Sequence, residues 1–467
     1  MRVAFIQDIW EELYGTTLLA EILGREGHEV RFFLDRRDRM ARLRQWNPDV
    51  CGFYVSSASA RQALEAAARV KAVLVGGTKV VFGGPHPTFF PEVIRHPAVD
   101  AVCRGEAERG FVQLLDGSGS GVLNPNAENF LVKVGGTITE NRIGPLVADL
   151  DSLPIPRRSH YAQYPLLRDA PLKRVMSSRG CPFSCSYCYN EQYRNLVRGK
   201  GPYLRRRSVD NVIGEIEYLR DAFGMRAVEF MDDVFALDKK WLFEFAERYP
   251  RRVGLPYLAM VHARQVDEAV AEALAESGCS RIMFAIESAS PGIRRDILRK
   301  DLSNGEIERC ASLLTRYGVR FMTYNMVGAP TETEQDILDT IRLNQRLGPV
   351  YAWCSIAQPY AGTRLGEIAR ETGLMEEGAE SRLTGSVFNR SILALPHKNR
   401  VENYHKLFGI AVRFPKTLPL IRRLVRLPAN PVFRALHKLH YGWHTVRRNR
   451  FTLGHTLRLY WKYRKYY

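Results

Sequence analysis

Apolar residues along the first 115 positions alternate between short strand-like runs and helical stripes. The helical stripes include an alanine-rich segment from about Ala60 to Val75. Strands and helices that alternate with short links predict a doubly wound parallel sheet of class α/β. The strand-like runs are Arg2–Gln7, Glu29–Phe33, Asp49–Val55, Lys79–Phe82 and Asp100–Cys103.

The carboxyl ends of these strands are the expected ligand side of such a sheet. The candidate binding residues there are Ser56, Gly83, Gly84, His86, Thr88, Gly105 and Glu106.

A second alternating pattern begins near Lys173. Six strand–helix units in succession predict a partial (β/α)6 barrel of the TIM type, with its chemistry at the carboxyl ends of the strands. The clearest helix starts at Ser208, and the segment after about Leu374 shows no strand pattern. We therefore expect domains at 1–145 and 171–373, a linker at 146–170, and a helical region at 374–467 broken by Pro415, Pro419, Pro428 and Pro431. The predicted barrel strands are Arg174–Ser177, Ala227–Met231, Pro256–Val261, Arg281–Ile286, Val319–Met326 and Ala352–Ala357.

Three of the eight cysteines fall on one short loop directly after the first barrel strand, at Cys181, Cys185 and Cys188. Three thiolates on one loop can hold three irons of a cubane cluster and leave the fourth iron open. The alternative is a structural zinc site, which needs a fourth ligand, usually in a second cysteine pair. No second pair occurs in the sequence. The scattered cysteines fit core packing, including Cys354, although it lies near the end of a barrel strand.

The spacing Cys-x3-Cys-x2-Cys, with Tyr187 before the last cysteine, resembles the signature of the radical S-adenosylmethionine superfamily. The resemblance implies a [4Fe–4S] cluster whose open iron binds S-adenosylmethionine and whose electron cleaves it to a 5′-deoxyadenosyl radical. It also implies that Tyr187 lies near the adenine.

Later barrel residues extend the resemblance in the order that the superfamily shows. Asp232 and Asp233 match acids near the methionine ammonium, and the alternative for this segment is a helix N-cap at Asp233 or Asp238. Glu287 and Ser288 match a ribose-binding motif. Asn325 and Gly328 match an adenine-binding turn.

The N-terminal domain is similar to the Rossmann-like cobalamin-binding domain found in one branch of this superfamily. The residues that carry the similarity run from Gly83 to Thr88 and from Val99 to Glu108. Glycines at 83 and 84 would let the backbone approach a flat macrocycle. The Asp-x-His-x-x-Gly motif that supplies a histidine to cobalt is absent, so the resemblance implies cobalamin (vitamin B12) bound without a protein histidine. His86 is interpreted as a turn residue. The alternative is a sheet that has lost cobalamin.

The formal net charge of +18 is concentrated at the end of the chain. From Val401 to Tyr467 there are 15 Lys and Arg residues and one acid, Glu402. Large apolar groups are interleaved with these charges, at 420–427 and at Leu453, Leu457, Tyr460 and Trp461. This pattern suits a helix on an anionic membrane surface. A solvated helix packed on the barrel is the main alternative, and nucleic-acid binding is less favoured.

Together these features favour a cytoplasmic enzyme that methylates an unactivated carbon through methylcobalamin and a 5′-deoxyadenosyl radical. The alternatives are a cyclisation, hydroxylation or rearrangement without methyl transfer and, less favoured, a transfer-RNA methylthiotransferase, which would need three N-terminal cysteines where only Cys51 and Cys103 occur. We expect a small-molecule or lipid-like substrate and an external electron donor of the flavodoxin or ferredoxin type. The sequence does not indicate the oligomeric state.

Overall fold

The computed structural model describes residues 1–74, 76–116, 122–360, 362–376 and 390–449, together with Gly454. The chain divides into two compact units. The first contains Met1–Ala170 and Tyr193–Arg205, and the second contains Pro171–Gln192 and the described residues from Arg206 onward. Within the described part of the chain, no helix has the length and apolar character that crossing a membrane requires.

The first unit is built on a seven-stranded sheet in the order β2-β1-β3-β4-β5-β6-β7. The first five strands are parallel, and β6 and β7 form an antiparallel hairpin at the edge. The order reverses at β1 and β3, which is the topological switch of a doubly wound sheet. The strands are β1 Arg2–Gln7, β2 Glu29–Leu34, β3 Val50–Tyr54, β4 Lys79–Gly83, β5 Ala101–Cys103, β6 Phe130–Val134 and β7 Thr137–Glu140.

Helices cover both faces of this sheet, and each face has its own apolar core. Because both faces are buried, the parallel strands read as continuous apolar runs rather than as alternating patterns. The helices are α1 Tyr14–Arg25, α2 Arg39–Trp46, α3 Ala60–Val73, α4 Pro85–Phe89, α5 Glu108–Leu115 and α6 Pro165–Arg168.

The second unit is an open half-barrel of six parallel strands, in the order β15-β14-β13-β12-β11-β8. The predicted α/β class and partial barrel are therefore confirmed. The strands from residue 171 onward are β8 Leu172–Val175, β9 Ser178–Arg179, β10 Arg205–Arg206, β11 Ala227–Phe230, β12 Tyr257–Val261, β13 Cys279–Glu287, β14 Arg320–Val327 and β15 Tyr351–Ile356. The helices between residues 171 and 376 are α7 Asn190–Leu196, α8 Val209–Phe223, α9 Lys239–Arg252, α10 Glu268–Glu276, α11 Asn304–Arg316, α12 Glu334–Leu347 and α13 Arg364–Glu371.

The barrel strands present alternate residues to the helices and to the concave inner face. Ile282 and Phe284 of β13, for example, pack into the large core beneath the helices. Met283, between them, belongs to a separate inner cluster with Leu258 and Met322. This alternation decides which sequence-predicted residues can reach a ligand inside the barrel.

The C-terminal region is helical, as expected, with α14 Lys398–Arg413, α15 Leu418–Leu424 and α16 Pro431–Asn449. Pro419 does not break a helix, contrary to the sequence prediction. It lies in the first turn of α15, where the missing N–H has no intrahelical partner to lose. Among the residues singled out in the tail, Leu453, Leu457, Tyr460 and Trp461 lie outside the described residues.

Candidate active site

The three cysteines lie on the loop that connects the end of β8 to α7. All three thiols are partly exposed. The N–H of Cys188 donates to the carbonyl of Cys185 at 3.1 Å, which closes a tight turn. The thiols also interact electrostatically with one another, so they share one small region of the loop.

The pKa values of these thiols reflect partial burial opposed by hydrogen bonding. Burial raises the pKa of Cys181 to about 11, against the effect of the Phe183 N–H. Burial also raises the pKa of Cys188, against the effect of Asn190. A metal must therefore displace protons from these thiols, as structural metal binding to cysteine generally does.

Ser186 fixes the middle of the cysteine loop. Its N–H donates to the carbonyl of Leu298 at 3.0 Å, and its hydroxyl donates to the carbonyl of Ile297 at 2.6 Å. Its own carbonyl accepts from the N–H of Leu365 at 2.9 Å. Ser186 is 1% exposed. The sequence analysis missed this residue because its partners follow it by more than 100 positions.

Asp232, one of the two predicted acids, fixes the start of the loop. Its carboxylate accepts from the N–H of Ser177 at 3.1 Å and from the Ser177 hydroxyl at 2.6 Å, and it also accepts from the Ser178 hydroxyl. Asp232 is buried, whereas Asp233 is exposed and lies close enough to Cys181 to influence its pKa. Of the two aspartates considered as helix caps, Asp238 takes that role and accepts from the N–H of Trp241 at the start of α9.

Tyr187 and Glu287 meet across the half-barrel. The Tyr187 hydroxyl donates to Glu287 Oε1 at 2.8 Å. Glu287 ends β13 at a register shift and has a φ of 65°, which is unusual for a residue other than glycine. Burial raises the pKa of this carboxyl, while Lys300 and the Tyr187 hydroxyl oppose the shift. Strained, buried polar residues of this kind are concentrated at ligand-binding sites.

The remaining predicted barrel residues lie in different environments. Ser288 is buried next to Glu287, and its hydroxyl accepts from the N–H of Ser290 at 3.2 Å. Asn325 is turned towards α12, where its Oδ1 accepts from Asn344 at 2.7 Å. Asn325 also donates to the carbonyl of Trp353 at 2.9 Å. The Asn325 side chain is therefore engaged by α12 and β15, while its backbone pairs in register with Glu287.

Gly328 lies on the turn after β14, with a φ of 81°. The positive φ favours glycine, and an added Cβ would also come within 3.0 and 3.1 Å of the Val401 and Leu395 side chains. The Gly328 N–H donates to the carboxylate of Glu332, whose pKa burial raises to about 8.

A stacked pair of rings flanks the cysteine loop. Phe183 lies between the first two cysteines, and its ring stacks on His262 with centroids 3.9 Å apart and an interplanar angle of 15°. Burial lowers the pKa of His262 to about 3, so the ring stays neutral. No sequence motif connects these residues, and the pair emerges only from the folding of β12 against the loop.

In the first unit, Ser56 and Gly84 lie on loops at the carboxyl ends of β3 and β4. Ser56 shares a reciprocal cap with Ser59. Gly84 has a φ of 106°, and an added Cβ would come within 3.0 Å of the Tyr54 ring and of the Val55 carbonyl. His86 lies in α4, with Nδ1 3.3 Å from the Ser57 hydroxyl. The structure thus gathers these predicted residues at one edge of the sheet.

Thr88 connects this edge to the next loop. Its hydroxyl donates to the carbonyl of Gly84 at 2.8 Å and accepts from the N–H of Gly105 at 3.1 Å. Glu106 has another role, because both of its carboxylate oxygens pair with Arg205, at 2.8 and 3.0 Å. Gly83 has no neighbour closer than 3.8 Å at its Cβ position, so close packing does not require glycine there.

The donor sets fit the two cofactors implied by the sequence. Within the described residues, no group of three or more His, Cys, Asp or Glu side chains is arranged to hold a metal ion. The placement of the three thiols on one loop suits a cluster that spreads its thiolates over three irons. The edge formed by Gly84, Thr88 and Gly105 lies beyond the carboxyl ends of the parallel strands, which is the ligand side of a doubly wound sheet and suits a flat ligand such as a corrin.

Comparison with known proteins agrees with this geometry. The model of the radical SAM superfamily matches residues 175–343, and that of the B12-binding domain matches residues 11–115. An uncharacterized methyltransferase of Pyrococcus horikoshii is 31% identical over 77% of this chain and 79% of its own length. The chain belongs to the cobalamin-dependent radical S-adenosylmethionine enzymes.

More distant proteins share the fold. A cytidylyl-2-hydroxyethylphosphonate methyltransferase of Streptomyces wedmorensis is 24% identical over 70% of this chain and 65% of its own length. The solved structure of the cobalamin-dependent S-adenosylmethionine radical enzyme OxsB covers 96% of this chain and 71% of its own, with a TM-score of 0.68 and 13% identity. The methyltransferase TsrM from Kitasatospora setae gives a TM-score of 0.66 at 18% identity, over 79% of this chain and 76% of its own.

Proposed function

We propose that this protein transfers a methyl group from S-adenosylmethionine, by way of cobalamin, to an unactivated carbon of a small-molecule substrate. The observation that carries the proposal is the three-cysteine loop held at the carboxyl end of β8 in a chain that also has a glycine-lined ligand edge in its first unit. When bound, the cluster would supply the electron that cleaves S-adenosylmethionine, and cobalamin would carry the methyl group.

Each group of residues has a defined part in this proposal. Cys181, Cys185 and Cys188 would hold the cluster, and Asp232 and Ser186 hold the loop that presents them. Tyr187 and Glu287 would position the nucleoside part of S-adenosylmethionine, with Ser288, Gly328 and Asp233 around it. At the sheet edge of the first unit, cobalamin would contact Ser56, Gly83, Gly84, His86, Thr88 and Gly105.

A row of methionines on the inner face of the half-barrel supports an apolar substrate. Met260 pairs in register with Met283, and Met283 with Met322, so these three lie side by side on β12, β13 and β14. Met231 and Met176 directly follow the paired ends of β11 and β8 and continue the row. Together the five residues form what we call the methionine row.

The side chains of the methionine row are buried at one end of the row and exposed at the other. Met283 and Met322 are 2% and 3% exposed, whereas Met231 is 43% exposed and Met176 and Met260 are partly exposed. The exposed end therefore belongs to the strands β8, β11 and β12, which lead into the cysteine loop, the Asp232 turn and His262. Thioether side chains adapt to apolar surfaces of varied shape. We therefore propose a lipid-like substrate, or another substrate with an extended apolar body.

Isotope transfer tests the proposed reaction. The anaerobically reconstituted, cobalamin-loaded protein is incubated with methyl-deuterated S-adenosylmethionine, a reductant and either the apolar or the polar fraction of an extract of the source organism. We expect a labelled methyl group in a product of the apolar fraction, together with S-adenosylhomocysteine and 5′-deoxyadenosine. A converted but unlabelled product would refute methyl transfer.

The unlabelled outcome has a specific precedent among the relatives. An anaerobic magnesium-protoporphyrin IX monomethyl ester cyclase of Cereibacter sphaeroides is 24% identical over 71% of this chain and 54% of its own length. An unlabelled product would therefore favour cyclisation, hydroxylation or rearrangement.

Transfer-RNA methylthiolation finds less support in the chain. Cys51 and Cys103 are the only cysteines before the barrel, and both are buried. Burial raises the pKa of Cys51 to about 12. These thiols are poor candidates for a second cluster.

Further aspects of the function are part of this proposal. We expect a flavodoxin or ferredoxin type of protein as electron donor, cytoplasmic localisation, and peripheral contact of the basic tail with the inner face of the membrane. The predicted boundaries at 145, 170 and 373 are proposed as sequence limits of the cobalamin-binding domain, the connecting segment and the barrel, although the connecting segment 146–170 packs into the first unit.

A further inference from the structure

Helix α16 carries a line of exposed apolar side chains on one face. Val432, Leu436, Leu439 and Trp443 are 60%, 40%, 71% and 59% exposed. Their spacing of four, three and four residues aligns them on one side of the helix. We call these four residues the apolar stripe. A helix that only packed on the barrel would present polar residues to solvent at these positions.

The other face of α16 is already in use. Phe433 is 5% exposed and belongs to the core beneath α14 and β15. His440 lies against Tyr351, with ring centroids 5.4 Å apart, and Tyr441 lies against Trp353 at 5.1 Å. The helix is therefore held on the barrel by one face, and the apolar stripe is a second surface that this packing leaves exposed.

Exposed apolar residues continue into the segment that precedes α16. Phe414, Leu420 and Leu427 are 53%, 57% and 48% exposed. They lie before, within and after α15. Isolated exposed apolar residues are common on protein surfaces. Seven exposed large apolar residues within 30 consecutive positions form a cluster, which is typical of an interaction surface.

The charge of this segment identifies the kind of partner. After Glu402 the sequence contains no Asp or Glu. A second copy of the same surface would be repelled by like charges, and base stacking would require more aromatic groups than Phe414 and Trp443 offer. Aliphatic side chains beside cations match the boundary between lipid headgroups and acyl chains. The basic residues of this segment whose side chains the structure describes are Arg413, Lys416, Arg422, Arg423, Arg426, Arg434 and Lys438.

We propose that α15 and α16 dock on an anionic bilayer, with the apolar stripe inserted at the level of the headgroups. This inference deepens the proposed contact of the basic tail with the membrane and does not depend on the proposed methyl transfer. The sequence analysis placed the membrane-facing pattern at 420–427 and at four residues after 449, whereas the apolar stripe lies on α16, whose other face packs on the barrel. Each basic residue near such a surface strengthens binding about fivefold at physiological salt. The cations therefore attract the protein to the anionic bilayer, and insertion of the apolar stripe holds it there.

Vesicle co-sedimentation of the full-length, cluster-loaded protein tests the proposal. One set of vesicles contains equal parts of phosphatidylcholine and phosphatidylglycerol, and the other contains phosphatidylcholine alone. We expect binding to the anionic vesicles that weakens as salt is added, and at least about tenfold weaker binding to the neutral ones. Equal binding to both, or binding to neither, would overturn the proposal.

The double variant Leu436→Glu/Leu439→Glu addresses the stripe itself. We expect at least about a tenfold loss of affinity for anionic vesicles. The matched control is Leu204→Glu/Phe243→Glu, which places the same charges at apolar residues that are 44% and 42% exposed elsewhere. The control variant should lose only the small part of the vesicle affinity that two added negative charges account for. An equal loss in both variants, or no loss in the stripe variant, would overturn the proposal.

Two measurements distinguish folding defects and other occupants. Iron content and the thermal transition show whether the double variant is folded; if it is not, Leu439→Gln alone is tested, since Leu439 is the most exposed residue of the stripe. Light scattering without vesicles tests self-association. Concentration-dependent dimers that the stripe variant abolishes, without vesicle binding by the wild type, would assign the surface to a second copy of the chain and overturn the proposal.

Discussion

The hydroxyl of Tyr187 donates a hydrogen bond to the buried carboxylate of Glu287, 100 positions later in the chain. The bond connects the cysteine loop to the strained end of β13. It gives a polar partner to a carboxyl that would otherwise be costly to bury. The position of the proposed nucleoside-binding side of the site therefore depends on the same loop that presents the three thiols.

Replacing Tyr187 with Phe should weaken S-adenosylmethionine binding more than it weakens the cluster. The variant leaves Glu287 without its donor, which should cost about 1–3 kcal/mol of stability. We expect unchanged iron content and about a tenfold higher dissociation constant for S-adenosylmethionine by calorimetry. Tyr189→Phe is the control, because the Tyr189 ring lies against Tyr360. Equal effects of the two substitutions would show that the contact with Glu287 has no special role.

Replacing Asp232 with Ala should impair retention of the cluster. Without the carboxylate, the N–H and hydroxyl of Ser177 lose their acceptor, and the start of the cysteine loop is released. We expect fewer irons per chain after gel filtration and a loss of about 1–3 kcal/mol in unfolding free energy. Asp238→Ala removes a cap of α9 and should cost about 1 kcal/mol with normal iron content. Normal iron in both variants would contradict the assigned role of Asp232.

Replacing Gly84 with Ala should reduce cobalamin retention. Alanine at this position would have to keep the positive φ of 106°, which side-chain-bearing residues rarely adopt. Its methyl group would also lie only 3.0 Å from the Tyr54 ring and from the Val55 carbonyl. We expect a loss of about 1–3 kcal/mol and less bound cobalamin, measured by absorbance after desalting. Gly15→Ala is the control, since Gly15 lies in α1 with no heavy atom within 4 Å of its Cβ position. Full cobalamin retention by the Gly84 variant would argue against this edge as the corrin site.

The pKa of Glu332 predicts a pH-dependent stability. Burial and Asp336 raise it to about 8, above its usual value of 4.5. The folded state thus holds a proton that the unfolded chain releases, so this group destabilises the fold progressively as pH rises from about 4.5 to about 8. Glu332→Gln should gain stability relative to the wild type by up to about 5 kcal/mol between pH 4.5 and pH 8.5, at about 1.4 kcal/mol per unit of pKa shift. Denaturant unfolding at both pH values measures this, and a pH-independent difference would contradict the assignment.

The fold could be predicted further than the site. Strand and helix periodicity gave both sheets, and Ser208 caps α8 at the predicted start, accepting from the N–H of Asn211 at 3.2 Å. Which of Asp232 and Asp233 is buried could not be predicted, because the answer depends on serines across the sheet. Asn325 was grouped with Gly328 by its motif, but its partner Asn344 lies on the helix side of β14.

The methionine row and the apolar stripe could not be predicted from the sequence, for different reasons. The row exists only once strand registers are known, since Met260, Met283 and Met322 come from three separated segments. The stripe has a visible helical period, but sequence alone does not tell which face of α16 the barrel covers. Both features depend on tertiary packing rather than on local preference.

The central claim is that Cys181, Cys185 and Cys188 hold a cluster that cleaves S-adenosylmethionine. The decisive measurement combines iron analysis with assay of 5′-deoxyadenosine in the anaerobically reconstituted, reduced protein and in its Cys185→Ser variant. The account predicts about four irons per chain and steady 5′-deoxyadenosine formation in the wild type, and loss of both in the variant. A wild type with one iron or none, or a variant that cleaves S-adenosylmethionine as well as the wild type, would contradict it.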